Sequence, residues 1–173
     1  MKKNNIILLG MMGAGKSFIG KALIEYCPTY TLIDTDILIE HNSKMKISEI
    51  FKNFSEKYFR DLETKTITEL CKNNNQIISL GGGTFERDVN RKILKDCGFT
   101  IYLKASAEVL FDRIKNETHR PLLKQGFGVD KIKEILNKRI CNYEQADIII
   151  DTENKTSYNI IKEILGKIKS YAE

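Results

Sequence analysis

No apolar run in the sequence approaches the roughly 20 residues that a membrane-spanning helix requires. At the start of the chain only four apolar residues, 6–9, separate a short polar stretch from a glycine, which is too few for a secretory signal peptide. These absences argue against a membrane protein and favour the cytoplasm. Repeats, low-complexity tracts and linkers are also missing, so residues 1–173 are expected to form a single domain.

Paired metal-binding cysteines are missing as well. The four cysteines lie far apart, and no C-x-x-C pair occurs. Each stands in or beside an apolar helical stretch, where a free thiol normally behaves as a small buried apolar group. The sequence therefore predicts buried free thiols, and no cysteine metal site, at Cys27, Cys71, Cys97 and Cys141.

The sequence also lacks a concentrated basic patch. The formal net charge is +5, but lysine and arginine are scattered and form no basic cluster of the kind that binds nucleic acid. We therefore expect small anionic ligands as partners, rather than DNA or RNA. Nothing in the pattern demands an exposed apolar interface, so a monomer is expected.

A complete phosphate-binding motif is present near the start of the chain. Residues 10–17 read Gly-Met-Met-Gly-Ala-Gly-Lys-Ser and match G-x-x-x-x-G-K-[ST] letter for letter. The apolar residues 6–9 predict a buried strand before the motif, and the spacing of apolar residues after it predicts a helix. Strand, loop and helix are the context in which this motif cradles phosphates, which argues against a glycine-rich turn that binds nothing.

The residue types of this loop predict their roles. Glycines allow successive N–H groups to point at phosphate oxygens. Lys16 is placed to reach the β- and γ-phosphates, and the Ser17 hydroxyl to bind Mg²⁺. The residues expected to contact the nucleoside triphosphate are Gly13, Ala14, Gly15, Lys16, Ser17 and Phe18.

Apolar runs alternate with helical patterns along the rest of the chain. Strands are predicted at residues 6–9, 30–33, 76–80, 99–103 and 147–150. This alternation predicts an α/β fold, with a five-stranded parallel sheet covered by helices on both faces. Helix starts are predicted at the caps Ser55, Ser106, Asp130 and Ser157, and a helix end at Gly98.

Two segments follow predicted strands at the edge where parallel sheets bind ligands. Asp34-Thr35-Asp36 follows the second strand, and Gly81-Gly82-Gly83 follows the third. The two carboxylates are expected to face the bound triphosphate. The three glycines indicate a place where backbone approaches another group closely, with a plain flexible turn as the alternative.

Arginines supply the charge that anionic ligands need. Arg60 and Glu63 are i, i+3 neighbours on a predicted helix, so the carboxylate can orient the guanidinium toward a second carboxylate. Arg139 falls in an apolar helical stripe, where its charge requires either an internal carboxylate or an anionic ligand. The polar loop 115–128 is a candidate lid, in which Arg120 either meets the transferring phosphate or stays solvated.

Together these motifs resemble the shikimate kinase family over essentially the whole chain. Besides the phosphate loop, the family's signatures occur in its own order: Asp34-Thr35-Asp36, Phe59-Arg60-Asp61-Leu62-Glu63, Ser79 to Gly83, Arg120-Pro121-Leu122-Leu123, and Arg139 four residues before Tyr143. The resemblance implies ATP-dependent phosphorylation of the 3-hydroxyl of shikimate, on the route to chorismate and the aromatic amino acids. It also implies the strand order 2-3-1-4-5, a mobile lid and a shikimate-binding region at about 36–63.

Residue roles follow from the same resemblance. It implies that shikimate is bound by Asp36, Arg60, Gly82 and Arg139, and that the catalytic residues are Asp36, Lys16 and Arg120. Ser17 would hold Mg²⁺, with Asp34 near the metal through water. Arg113 and Lys155 would lie beside the adenine of ATP.

Other kinds of protein share part of this pattern. A kinase of another small hydroxylated carboxylate, such as gluconate, would keep the phosphate loop and lid but lack Arg60, Arg139 and the triple glycine in this arrangement. A nucleoside monophosphate kinase would need a surface that recognises a base. A switch that acts through a protein partner would have no reason to collect two cleft arginines beside an Asp-x-Asp.

Overall fold

The fold is built on a sheet of parallel strands. The computed structural model describes residues 4–115 and 128–172. In this part of the chain the strands are β1 (Asn5–Leu9), β2 (Thr31–Asp34), β3 (Gln76–Ser79), β4 (Gly98–Lys104) and β5 (Ile148–Asp151). Their spatial order, β2-β3-β1-β4-β5, confirms the predicted order and the α/β class.

Helices connect the strands and flank the sheet. Over the described ranges the α-helices are α1 (Lys16–Ile24), α2 (Thr35–Ser43), α3 (Ile47–Asn53), α4 (Glu56–Leu70), α5 (Asp88–Cys97), α6 (Ala107–Ile114), α7 (Val129–Tyr143) and α8 (Ser157–Ala172), and a 3₁₀ turn covers Thr84–Glu86. Within those ranges, none of the helices has the length and apolar character needed to cross a membrane.

The central strand β1 fixes where the candidate site lies. Ile6 of β1 is aligned with Ile77 of β3 on one side and with Phe99 of β4 on the other, and every residue of β1 is buried. A strand buried on both faces reads as a continuous apolar run, which is why residues 6–9 predicted it correctly. Because β2, β3 and β1 are neighbours, the segments that follow their carboxyl ends lie side by side.

Helix α2 is absent from the sequence prediction, which treated residues 34–36 only as a strand end. The Asp34 side chain accepts hydrogen bonds from the backbone N–H groups of Asp36 and Ile37, at 3.1 and 3.4 Å. An aspartate that caps a helix satisfies backbone donors that otherwise lack partners. The chain therefore passes from β2 directly into α2, and this turn sets the position of Asp36.

The predicted helix ends are partly right. Ser55 and Ser106 cap their helices as predicted, each accepting from a backbone N–H. Helix α7 starts at Val129, so Asp130 lies inside it, and the cap of α8 is Thr156, whose hydroxyl accepts from the N–H of Asn159.

The predicted helix end at Gly98 is confirmed, because α5 ends at Cys97 with Gly98 as its C-cap, and β4 begins at the same residue. Its backbone is extended, and a Cβ there would lie 2.6 Å from the Asn5 carbonyl oxygen. A real Cβ does not approach backbone this closely. Glycine is therefore required by the close approach of β1, and not by the end of the helix.

The prediction of four buried free thiols is wrong. Cys71, at the end of α4, is joined to Cys97, at the end of α5, by a disulfide whose Cα atoms lie 5.4 Å apart. Cys141 is exposed and Cys27 is half-buried. The two helix ends meet only through tertiary packing, and a separation of 26 residues carries no local signal of that contact.

Thr100 provides a test of how β4 holds the start of β5. Its buried hydroxyl donates to Asp147 Oδ2 at 2.7 Å and accepts from the Asp147 N–H at 2.9 Å. Thr100→Val keeps the branched shape but removes both bonds, so we expect the free energy of unfolding in urea to fall by about 1–3 kcal/mol. Thr68→Val is the control, because Thr68 is exposed and bonds only within its own helix. Equal losses in both variants would contradict this account.

Candidate active site

The phosphate loop joins β1 to α1. Gly13 and Gly15 have φ angles of 80° and 87°, in the region that favours glycine. A Cβ at Gly13 would also lie 2.8 Å from the backbone oxygen of Leu110, in α6. The loop therefore needs glycine both for its backbone shape and for its packing, as its sequence predicts.

Lys16 opens α1 and its side chain bends back over this loop. The ammonium donates to the carbonyl oxygens of Gly10 and Met11, at 2.9 and 3.1 Å. These bonds hold a positive charge at the start of a helix, where the helix dipole also favours an anion. The arrangement suits the binding of phosphate groups.

Oxygen atoms from two strand ends, at Asp34 and Ser79, meet the Ser17 hydroxyl at the start of α1. The Ser17 hydroxyl donates to Asp34 Oδ2 at 2.8 Å, and the Ser79 hydroxyl donates to the same oxygen at 3.2 Å. Such hard oxygen donors fit Mg²⁺. Among the described residues no group of three or more His, Cys, Asp or Glu side chains could hold a metal. The donor set therefore fits an ion held mainly by substrate phosphates, with only one or two protein ligands.

A cavity of about 430 Å³ opens beside the loop. Its lining includes Phe18, Arg113, Thr152 and Lys155 as well as the loop itself. Arg113 donates to the Thr152 hydroxyl and carbonyl oxygens at 3.2 and 3.1 Å, and Lys155 pairs with Glu163 at 2.7 Å. The structure thus brings both residues predicted near adenine to the wall of one cavity.

The triple glycine is the meeting point of the residues predicted to bind the acceptor. A Cβ at Gly81 would collide with Asp36 Oδ1, and one at Gly83 would collide with the Arg60 guanidinium. A Cβ at Gly82 would lie 3.4 Å from Arg139 Nη1. Each glycine therefore abuts one of these three side chains. This is the close approach that the sequence predicted, and it excludes a plain flexible turn.

Arg60 is held by two carboxylates of its own helix. It pairs with Glu63 at 2.8 Å and with Glu56 at 3.1 Å. Glu63 is buried and also accepts from the Thr84 hydroxyl at 2.6 Å. Glu63 thereby links α4 to the turn that follows the triple glycine, and it holds the Arg60 guanidinium in one orientation, as the i, i+3 spacing predicted.

Arg139 reaches the same turn from α7. Its Nη1 lies 3.8 Å from the sulfur of Met11, in the phosphate loop, as well as beside Gly82. The sequence left open whether this charge is balanced by an internal carboxylate or by an anionic ligand. The structure supplies one carboxylate, Glu86, whose charge interacts with that of Arg139. The guanidinium nevertheless faces the glycine turn, where a second anion can also reach it.

Glu86 is a site residue that the sequence analysis missed. It ends the 3₁₀ turn, and its Oε1 is buried without a hydrogen-bond partner in the described structure. Burial raises the pKa of this carboxyl, although Arg139 and a hydrogen bond from Asn142 act in the opposite direction. No local sequence pattern indicates this residue, because Glu86 Oε1 becomes buried only when α5 and α7 pack against the turn.

Part of the predicted site cannot be placed. Arg120 and most of the predicted lid, at 116–127, lie outside the described residues.

Ser79 and Thr152 contribute hydroxyls to which the sequence analysis gave no role. Both could have been found by position, since each lies at or just after the carboxyl end of a strand, where parallel sheets bind ligands.

Glu86→Gln tests the electrostatics of this turn through the pH dependence of Tm. When folding raises the pKa of an acidic group, the folded protein loses stability as pH rises above the pKa that this group has in the unfolded chain. Glutamine stays neutral, so we expect the variant to melt above the wild type at about pH 7.5 and to match it at about pH 4. Glu108→Gln is the contrasting variant, because a hydrogen bond from Lys133 lowers the pKa of Glu108. We expect it to melt below the wild type at neutral pH. A Tm difference for Glu86→Gln that does not change with pH would contradict this.

Known proteins are similar to this chain in sequence and in fold. A sequence model of the family described as shikimate kinase matches residues 12–169. The shikimate kinase of Thermodesulfovibrio yellowstonii is 42% identical over 161 residues, which cover 93% of this chain and 92% of that protein. The structure of the Acinetobacter baumannii shikimate kinase in complex with shikimate has a TM-score of 0.89 at 32% identity, covering 97% of this chain and 94% of the other.

A gluconokinase structure is more distant. The enzyme of Sinorhizobium meliloti 1021 has a TM-score of 0.66 at 16% identity, covering 98% of this chain and 94% of the other, which shows a shared fold only. The family match covers most of the chain, and the 42% identity extends over nearly its full length. On this evidence the chain belongs to the shikimate kinase family.

Proposed function

We propose that the protein transfers the γ-phosphate of ATP to the 3-hydroxyl of shikimate, giving shikimate 3-phosphate and ADP, on the route to chorismate and the aromatic amino acids. One observation carries the proposal: the triple glycine abuts Asp36, Arg60 and Arg139 at the strand edge that also bears the phosphate loop. Family membership supports the same activity.

The two arginines suit a small carboxylate. Shikimate carries one carboxylate and three hydroxyls, and a guanidinium fork binds a carboxylate with two parallel hydrogen bonds. Arg60 is oriented by Glu63 and lies beside Gly83, and Arg139 lies beside Gly82. We assign acceptor binding to Asp36, Arg60, Gly82 and Arg139, within a shikimate-binding region at about 36–63.

Asp36 is assigned the role of orienting the attacking hydroxyl. Its backbone is fixed by the cap at Asp34, and its carboxylate lies against Gly81, next to the phosphate loop. Phosphoryl transfer depends mainly on positioning and on charge neutralisation. A carboxylate here accepts a hydrogen bond from the hydroxyl and takes its proton late in the reaction.

Lys16 and Arg120 are assigned to the charge on the transferring phosphoryl group. Mg²⁺, held by Ser17 directly and by Asp34 through water, would supply further charge neutralisation when bound. Gly13, Ala14 and Gly15 would donate backbone N–H groups to the phosphates, while Phe18, Arg113 and Lys155 would line the nucleoside part of the cavity.

The proposal also covers domain organisation, oligomeric state and location. We propose a single kinase domain over residues 1–173, with a lid at about 115–128, acting as a monomer in the cytoplasm. A kinase for gluconate is the rival function. The arginine pair around the triple glycine favours shikimate, because a gluconate kinase is expected to lack that pair.

The acceptor is tested by ADP formation. With ATP and Mg²⁺, we expect turnover with shikimate, and only background rates with gluconate, AMP or no acceptor. Chelation of divalent ions should abolish turnover, and excess Mg²⁺ should restore it. Turnover with another acceptor, or none with shikimate, would overturn the proposed function.

Arg60→Lys tests carboxylate recognition. Lysine keeps the charge but loses the planar fork that Glu63 orients, so we expect the KM for shikimate to rise about 10- to 100-fold and the KM for ATP to change less than about twofold. Arg87→Lys is the matched control, because Arg87 pairs with the exposed Asp61 at 2.6 Å, outside the glycine turn. Equal effects of the two substitutions on the shikimate KM would contradict the assignment.

A further inference from the structure

The carbonyl groups of the triple glycine are held in two different ways. Gly81 O accepts from the Thr84 N–H and Gly83 O from the Glu86 N–H, both at 3.1 Å, which are local turn bonds. Gly82 O instead accepts from the Tyr143 hydroxyl at 2.5 Å, across 61 residues of sequence. The middle carbonyl therefore depends on a side chain from another element.

Tyr143 is well placed to provide that bond. It is the last residue of α7, one helical turn after Arg139, and only 1% of its surface is exposed. Its ring packs on that of Tyr102, with centroids 5.1 Å apart. Burial raises the pKa of the phenol, so the hydroxyl keeps its proton and remains a donor at neutral pH.

The bond fixes more than one oxygen atom. A peptide unit is planar and trans, so an anchored Gly82 carbonyl also fixes the direction of the Gly83 N–H. Within the described residues, no hydrogen bond uses the N–H of Gly82 or of Gly83. These two donors remain available to an anionic or hydroxylated ligand, beside the Arg60 and Arg139 guanidinium groups.

We propose that Tyr143 is a positioning residue of the acceptor site, whose hydroxyl ties Gly82 to the helix that carries Arg139. The bond sets the spacing between backbone donors on the glycine turn and the guanidinium that faces them. Tyr143 has no contact with the acceptor in this role. The inference rests on the proposed function, since it assigns these donors and Arg139 to acceptor binding.

A purely structural role would belong to the ring, whereas the positioning role belongs to the hydroxyl. Tyr143→Phe separates the two, because it keeps the ring and its contact with Tyr102. The variant removes the hydroxyl that bonds to Gly82 and that also hydrogen-bonds with the Arg139 side chain. We expect the KM for shikimate to rise about tenfold, while kcat and the KM for ATP change less than about twofold.

Tyr102→Phe is the matched control. It removes a buried phenol hydroxyl from the ring that packs against Tyr143, but leaves the bond to Gly82 intact. We expect its kinetic constants to match those of the wild type. Equal effects of the two variants, an equal rise in the KM for ATP, or an unchanged shikimate KM in Tyr143→Phe would each overturn the inference.

A second variant and a second acceptor complete the test of Tyr143. If Tyr143→Phe does not fold, Tyr143→Met also lacks the hydroxyl and fills the space with a flexible apolar chain, so the same rise in KM is expected. If the wild type turns over a different acceptor and not shikimate, the proposed function fails. The same comparison with that acceptor then still decides whether the Tyr143 hydroxyl positions the site.

Discussion

The candidate site depends on the absence of side chains at the carboxyl end of β3. Gly81, Gly82 and Gly83 leave room for three charged side chains that come from three different helices. Any Cβ at the first or last of these positions would occupy the space of a carboxylate or of a guanidinium. The strand order places this turn beside the phosphate loop, because β3 is the neighbour of β1. The proposed acceptor and nucleotide sites thus share one sheet edge.

Charge balance is the second requirement of this arrangement. Two arginines converge on a largely buried turn, where unpaired charge is costly. Glu63 forms a direct ion pair with Arg60, while the half-buried Glu86 interacts with Arg139, and burial raises the pKa of the Glu86 carboxyl. The site therefore keeps one arginine tightly paired and the other more weakly balanced. An incoming carboxylate would complete the balance at Arg139 without displacing the Glu63 pair.

The sequence predicted those features that local patterns determine. The buried strand before the phosphate loop, the pairing of Arg60 with Glu63, and the close approach at the triple glycine all follow from residue spacing and type. Helix α2 was missed because its start is fixed by the Asp34 cap rather than by a strong apolar stripe. The Cys71–Cys97 link and the bond from Tyr143 to Gly82 are contacts between distant segments, so no local pattern contains them.

The central claim is that the triple glycine gathers one acceptor site from α2, α4 and α7. A crystal structure of the protein with bound shikimate tests it most directly. The account predicts that the shikimate carboxylate contacts Arg60 and Arg139 and that a ring hydroxyl contacts Asp36. A carboxylate bound away from both arginines, or hydroxyls that leave Asp36 without contact, would contradict it.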